Sequence, residues 1–300
     1  MPTIKEYNVK IKSLRNTRKI TKTMKMVSAS KLRRAQDAQT NAKLYAENLT
    51  RLMNRISEAA QNATNPLLET PKNVSNVLIL VITSDKGLCG AFNNNVNKRV
   101  LTWIQENKGQ SRKIDFSFCG RKGYAFFRKN NTVNKYYEHV TNRPQFSDAK
   151  KIGDDLMQAF LSKQYDEIYI AYNQFFSPIS QKTVLEKVLP INSDGLKIVQ
   201  ANQKKVATAE VKNRIREYLY EPKAPDLLAF LIPYFLYFKI FFSLLENSAG
   251  EHGARMASMD NATKNANELI NTNVLYRNRA RQAQITKELI EIISGAEALK

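Results

Sequence analysis

Few residues of this chain have the types and spacing to do chemistry. SDKGLCGAFN (Ser84–Asn93) places two glycines directly after an apolar run, where a strand turns into a helix and phosphate-binding loops commonly sit. A Walker loop requires GxxxxGKS/T, and here Gly90 is followed by Ala91 and Phe92. GxGxxG is absent as well. The glycines therefore read as a tight turn under the sheet edge and not as a nucleotide cradle. Cys89 invites a nucleophile reading, but the only histidines are His139 and His252, and neither is near it in sequence. A buried thiol is the better reading. There is no HExxH, CxxC or paired-carboxylate pattern, so no catalytic residue, metal ligand or cofactor site is expected.

Charge is the other chemical signal. The formal net charge is +20, and it is uneven. Met1–Arg34 holds eleven Lys/Arg against one acidic residue, Glu6, whereas from Glu246 to Lys300 seven basic and seven acidic residues cancel. The positive charge is therefore local and aimed at an anionic partner surface. Nucleic acid is one such partner, but the basic positions wind around the helix, and Tyr7 is the lone aromatic among them, so base stacking lacks a platform. A protein-facing collar is the stronger reading. Arg277 and Arg281 share a helix face, with Arg279 pointing elsewhere, and guanidinium forks suit carboxylate partners. Cys89 and Cys119, without zinc spacing, fit a reducing compartment.

The elements that must position these residues follow from the breakers. No Gly or Pro occurs from Thr3 to Asn65, nor from Ala254 to Ser294. Two long helices are expected at the ends, the first over about residues 3–60, roughly 85 Å long. Its expected seam alternates three- and four-residue steps from Met24 and Ser28 through Lys31, Ala35, Ala38, Ala42, Tyr45, Leu49, Leu52 and Ile56 to Ala59. A lone helix of that length needs a partner, and an antiparallel coiled coil with the last helix supplies one. The last helix is the longer, so its apolar end, Ile290–Leu299, is expected to project and to need a sheath. Between the helices, VSNVLILVITS (Val74–Ser84) reads as a strand buried on both faces. Strands at Lys113–Cys119, Asn134–Val140, Asp166–Tyr172 and Lys182–Leu189 alternate with helices at Asn94–Glu106, Arg121–Lys129 and Ala149–Lys163. That order predicts an α/β domain of Rossmann-like type. Asn192–Glu210 reads as a polar loop. Leu227–Leu245 is long enough to cross a bilayer but carries Pro233 and Lys239, and a buried helix under the domain is the favoured reading.

Five stretches carry a resemblance over the whole length: Leu14–Gln36 (LRNTRKITKTMKMVSASKLRRAQ), Ser84–Asn93, Tyr218–Pro222 (YLYEP), Glu251–Ile270 (EHGARMASMDNATKNANELI) and Tyr276–Leu299. In matching order they resemble the gamma subunits of bacterial F-type ATP synthases. The resemblance implies the fold class α/β with a long antiparallel coiled coil, divided as 1–62, N-terminal coiled-coil helix, 72–212, α/β domain, and 213–300, C-terminal coiled-coil helix. It implies a rotary, non-catalytic central-stalk subunit. Proton-driven (in some bacteria sodium-driven) rotation of a c-ring would be coupled to conformational cycling of catalytic beta subunits. The implied partners are the alpha3beta3 ring, the epsilon subunit and the c-ring. No nucleic acid or cofactor is implied, and the membrane would be met only through the complex, on the cytoplasmic face of the bacterial inner membrane. By resemblance, Arg281 and Gln282 engage a catch loop of one beta subunit, and Met24 and Lys25 lie opposite that pair on the coiled coil. Tyr218 and Glu221 meet the c-ring, and Ile292, Ile293 and Leu299 form the bearing tip.

Overall fold

The computed structural model describes residues 3–59, 65–71, 73–107, 112–129, 131–191 and 220–297. The expected loop at Asn192–Glu210 lies outside them. The chain divides into two units, Lys31–Ala254 and a second made of Met1–Ser30 with Arg255–Lys300. Two helices, α1 (Ile4–Ala59) and α5 (Ala224–Glu297), contribute to both.

The Lys31–Ala254 unit is built on a five-stranded sheet. Its strands are β1 (Asn76–Ile82), β2 (Lys113–Cys119), β3 (Val133–Tyr137), β4 (Glu167–Phe175) and β5 (Gln181–Leu189), in the order β3-β2-β1-β4-β5. The first four are parallel and β5 returns antiparallel from β4. The central strand β1 is apolar at nearly every position because both of its faces are covered. Val77, Ile79 and Val81 point into a layer under α2 (Phe92–Glu106) and α3 (Arg121–Phe127), with Trp103, Phe116 and Phe118. Leu78, Leu80 and Ile82 point the other way, into a larger core with α4 (Phe146–Leu161) and the unit's stretches of α1 and α5.

This second core accounts for the apolar run Leu227–Leu245. It lies in the one helix among the described residues long and apolar enough to cross a membrane, yet Leu228, Ile232, Phe235, Leu236, Phe242 and Leu244 are buried against the sheet's own residues. Burying each such side chain is worth about 1.5–3 kcal/mol, so the run is a core helix by energy as well as by position. Lys239 is only 3% exposed, and its ammonium lies 3.3 Å from the Glu186 carboxylate of β5. Gly153 of α4 leaves room for this helix, since a Cβ there would stand 2.4 Å from the Tyr237 ring.

The seam of α1 departs from its expected register in one half of its positions. Ser28, Ala35, Ala42, Leu49 and Ile56 are inward or partly so, as expected. The alternate positions shift by one residue. Leu32, Ala46 and Met53 are buried, while Lys31 is exposed and Tyr45 and Leu52 are 45% and 42% exposed. Tyr45 sits on the flank instead, its ring 4.7 Å from Phe238 and its hydroxyl 3.2 Å from that of Tyr234. Its apolar body is covered there while its polar tip stays near solvent, and the small Ala46 takes the crowded inner place.

One carboxylic acid is stored in this core. Glu246 is 3% exposed; Gln39 Nε2 donates to its Oε1 over 3.4 Å, and Oε2 has no partner among the described residues. Burial pushes its pKa up to about 8; the Gln39 bond pulls down, the Glu186 charge adds to the rise, and Lys43 opposes it. The folded state therefore holds this proton more tightly than the unfolded chain. The associated stability is complete below the unfolded value of 4.5 and is lost as pH rises through about 8. The slope is on the order of 1.4 kcal/mol per pH unit inside that window. Glu246→Gln is expected to flatten it, so that thermal unfolding of the purified variant exceeds wild type at pH 8.5 and approaches it at pH 5.5. Equal differences at both pH values would show that Glu246 is not the group responsible.

Candidate contact surfaces and family

The turn after β1, where phosphate loops commonly sit in such sheets, is filled by the chain's own side chains. The strand order reverses between β1 and β4, the place where open α/β sheets bind ligands. Here Asn93 Oδ1 accepts the Ser84 backbone N–H at 2.9 Å, Asn173 Nδ2 donates to the Phe92 carbonyl at 3.0 Å, and Asn247 Nδ2 from α5 donates to the Thr83 carbonyl at 3.5 Å. Leu88 and Gly90 both take left-handed backbone angles, which close the turn tightly. Gly120 is required for another reason: a Cβ there would stand 2.2 Å from the Thr83 carbonyl oxygen. Cys89 and Cys119 are both buried free thiols, and burial foremost pushes the Cys119 pKa far up.

The unit formed by residues 3–30 and 255–297 is an antiparallel helix pair. Ile11, Thr21 and Ser28 of α1 face Met259, Ala266, Ile270 and Asn273 of α5, all buried. Side chains across the seam fix its register. Tyr7 packs on Tyr276 with ring centroids 6.3 Å apart, Arg18 donates to Asn267 at 3.1 Å, and Thr263 donates to Thr21 at 2.8 Å. Lys25 Nζ lies 2.6 Å from Asp260, and Lys264 braces the same carboxylate at 3.3 Å. The Asp260 pKa is lowered, first by the hydrogen bond from Lys25 and then by that from Lys264. Asp260, Thr263 and Asn267 thus fix the register of the pair, which the sequence alone does not single out. Their signal was present as polar residues at seam spacing in MDNATKNAN, where an apolar seam would carry Leu or Ile.

This register corrects one expectation. Met24 and Lys25 do not lie opposite Arg281 and Gln282. Lys25 is level with Asp260, and by the same register Arg281 is level with the first turn of α1 at Ile4. Along α5 the two levels are separated by about 30 Å. The expectation failed because sequence periodicity gives each helix a face but leaves the relative sliding of two helices open.

Beyond that level no other described residue covers α5. Residues 281–296 are all exposed, and among the described residues the side chains of Arg281 and Gln282 have no hydrogen-bond or ion-pair partner. Ile285, Leu289, Ile292 and Ile293 are 49–68% exposed and make an apolar stripe at helical spacing. Met24 is half-buried and Lys25 is held by Asp260. Glu221 is exposed at the lead-in to α5, while Tyr218 and Leu299 lie outside the described residues.

The class of fold is a mostly parallel α/β sheet, its ligand crevice filled by the chain's own side chains, in a chain that also forms an antiparallel helix pair. Residues 3–299 match the ATP synthase family. The ATP synthase gamma chain of Geobacter sp. (strain M21) is 41% identical over 300 residues, covering 100% of both chains. That of Bdellovibrio bacteriovorus is 40% identical over 301 residues, and that of Chlorobaculum tepidum 38% over 304, again with full coverage of both. Among solved structures, a chain of the Euglena gracilis mitochondrial ATP synthase superposes with a TM-score of 0.62 at 19% identity, covering 99% of this chain and 94% of that one. A chain from the central stalk and c-ring structure of the Tetrahymena thermophila enzyme gives 0.58 at 23% identity, covering 81% and 99%. These two likenesses support the fold. The chain belongs to the ATP synthase gamma chain family.

The paired helices carry a stability prediction. Ala266 is 4% exposed in the middle of the seam. Ala266→Pro removes a helix hydrogen bond and clashes with the preceding turn, costing roughly 3 kcal/mol or more. Removal of the last four residues leaves the seam intact. Denaturant titration of the two variants is expected to show a large loss for the first and little for the second; equal losses would contradict a stiff paired helix.

Proposed function

We propose that this chain is the rotary central-stalk subunit of an ATP synthase and acts as a mechanical coupler without an active site of its own. The observation that carries this reading is the uncovered end of α5, residues 281–296, which presents two unpaired polar side chains followed by an apolar stripe. An exposed stripe of that kind needs a sheath. A ring of alternating alpha and beta subunits provides one, with Ile292, Ile293 and Leu299 turning in a smooth apolar bearing. Ion-driven rotation of the c-ring turns the stalk, and its asymmetric surface drives each catalytic beta subunit through its conformations in turn. The filled crevice at the β1–β4 switch point supports a non-catalytic role.

In this reading the helical segments within 1–62 and 213–300 form the shaft, and 72–212 is the footing. Arg281 and Gln282 grip a loop of one beta subunit. Met24 and Lys25 form a separate contact level about 30 Å along the helix pair, with Lys25 shared between Asp260 and the beta subunit. Tyr218 and Glu221 meet the c-ring, and the epsilon subunit packs on the footing. The complex sits at the membrane, with this subunit peripheral on the cytoplasmic face of the bacterial inner membrane.

A guanidinium hydrogen bond to a partner is worth about 1.5–3 kcal/mol. If it forms only on the way to the rate-limiting rotary step, its loss slows turnover roughly tenfold. Arg281→Ala and Gln282→Ala are therefore expected to lower ATP turnover of the assembled complex while subunit stoichiometry is preserved. Wild-type turnover in both variants would remove the grip assignment.

A further inference from the structure

A cleft of about 470 Å³ opens in the Lys31–Ala254 unit between α1, α5 and the segment joining β3 to α4. Its size is that of a small-molecule site. Three cations line it, Lys31 and Arg34 from α1 and Arg143 from the facing segment, and no carboxylate does. Among the described residues none of the three is ion-paired. The two walls are tied together, since Lys31 Nζ donates to Asn142 Oδ1 at 3.3 Å. The segment carrying Arg143 is pinned next door, where Thr141 Oγ1 donates to Asp85 Oδ2 at 3.1 Å. At the base lie Ser248 and His252, each 3% exposed.

Three like charges gathered round one concavity repel one another and focus a positive potential into it. Lys135, an exposed cation elsewhere in this unit, has a carboxylate beside it, Asp155 at 2.7 Å. The three cations of the cleft have none among the described residues, and the space between them has room for a polyanion. Guanidinium forks on two separate elements match the oxygens of a phosphate chain.

We propose that this cleft binds a small multiply charged phosphate anion of the pyrophosphate class. The site is distinct from the α5 end and independent of the rotary reading, so failure of one leaves the other standing. A single anion bridging Arg34 and Arg143 would clamp α1 to the sheet side of the unit, because the two arginines stand on opposite walls.

Calorimetric titration of the full-length chain with inorganic pyrophosphate tests this. Saturable one-to-one binding that weakens with added salt is expected. Arg34→Gln and Arg143→Gln are each expected to weaken it about tenfold, the share of one charge-assisted hydrogen bond. Ala38→Glu, which sets a carboxylate in the cleft without touching the arginines, is expected to abolish it. Lys10→Gln, an exposed lysine in the other unit, should leave it unchanged. Absence of saturable binding, or equal weakening by Lys10→Gln, overturns the site. A hexaglutamate peptide that binds more tightly than pyrophosphate would assign the cleft to an acidic protein segment and overturn the small-anion reading.

Discussion

Helices that run antiparallel must share a continuous row of inward positions, and the placement of nearly every other residue follows from that row. On α1 it steps by threes and fours from Ile11 to Ile56, and on α5 from Leu245 to Ala280. A proline in either row would remove a helix hydrogen bond and clash with the preceding turn, and none occurs there; the two glycines in the α5 row, Gly250 and Gly253, sit where Phe92 and Pro178 pack close against the helix. Pro225 and Pro233 are tolerated near the start of α5, the first because it falls within the opening turn.

The same row is used differently in the two units. Within Lys31–Ala254 it is apolar, and α1 and α5 add Leu49, Met53, Ile56, Ile232, Phe235 and Phe242 to the core under the sheet. At about 1.5–3 kcal/mol per buried side chain, these contacts dominate stability. Within the other unit the row is interrupted by Thr21, Lys25, Thr263 and Asn273. Exposed ion pairs contribute little, at most about 1 kcal/mol each. Their use is specificity: a helix pair joined at Arg18–Asn267, Thr21–Thr263 and Lys25–Asp260 has one register, where an all-leucine seam would slide.

Much of this was legible in the sequence, for physical reasons. The run through Val77–Ile82 announced a doubly covered strand because only burial on both faces favours six consecutive apolar residues. The core role of Leu227–Leu245 was legible from Lys239, which a membrane span would leave unpaired and which β5 pairs with Glu186. The α1 seam was half legible: at Tyr45/Ala46 and Leu52/Met53 both neighbours are acceptable inward residues, and only the crowding against α5 selects the second of each pair. The level of Lys25 against α5 was not legible, because no local pattern encodes how far one helix slides along another. Nor was the plugging of the switch point by Asn247, which lies far along the chain from the turn it closes.

The helix end that begins at Arg281 has a mechanical consequence. Where α1 and α5 lie side by side, twist applied to one is resisted by two backbones and by the side chains linking them. Past the first turn of α1 a single helix resists twist, held by its own backbone hydrogen bonds and by pairs such as Lys287–Glu291 at 3.6 Å. Among the described residues of this unit, 281–297 are therefore the most easily twisted. A smooth bearing suits such a soft tail on a stiff rod: little torque reaches it, and it has only to keep the rod centred.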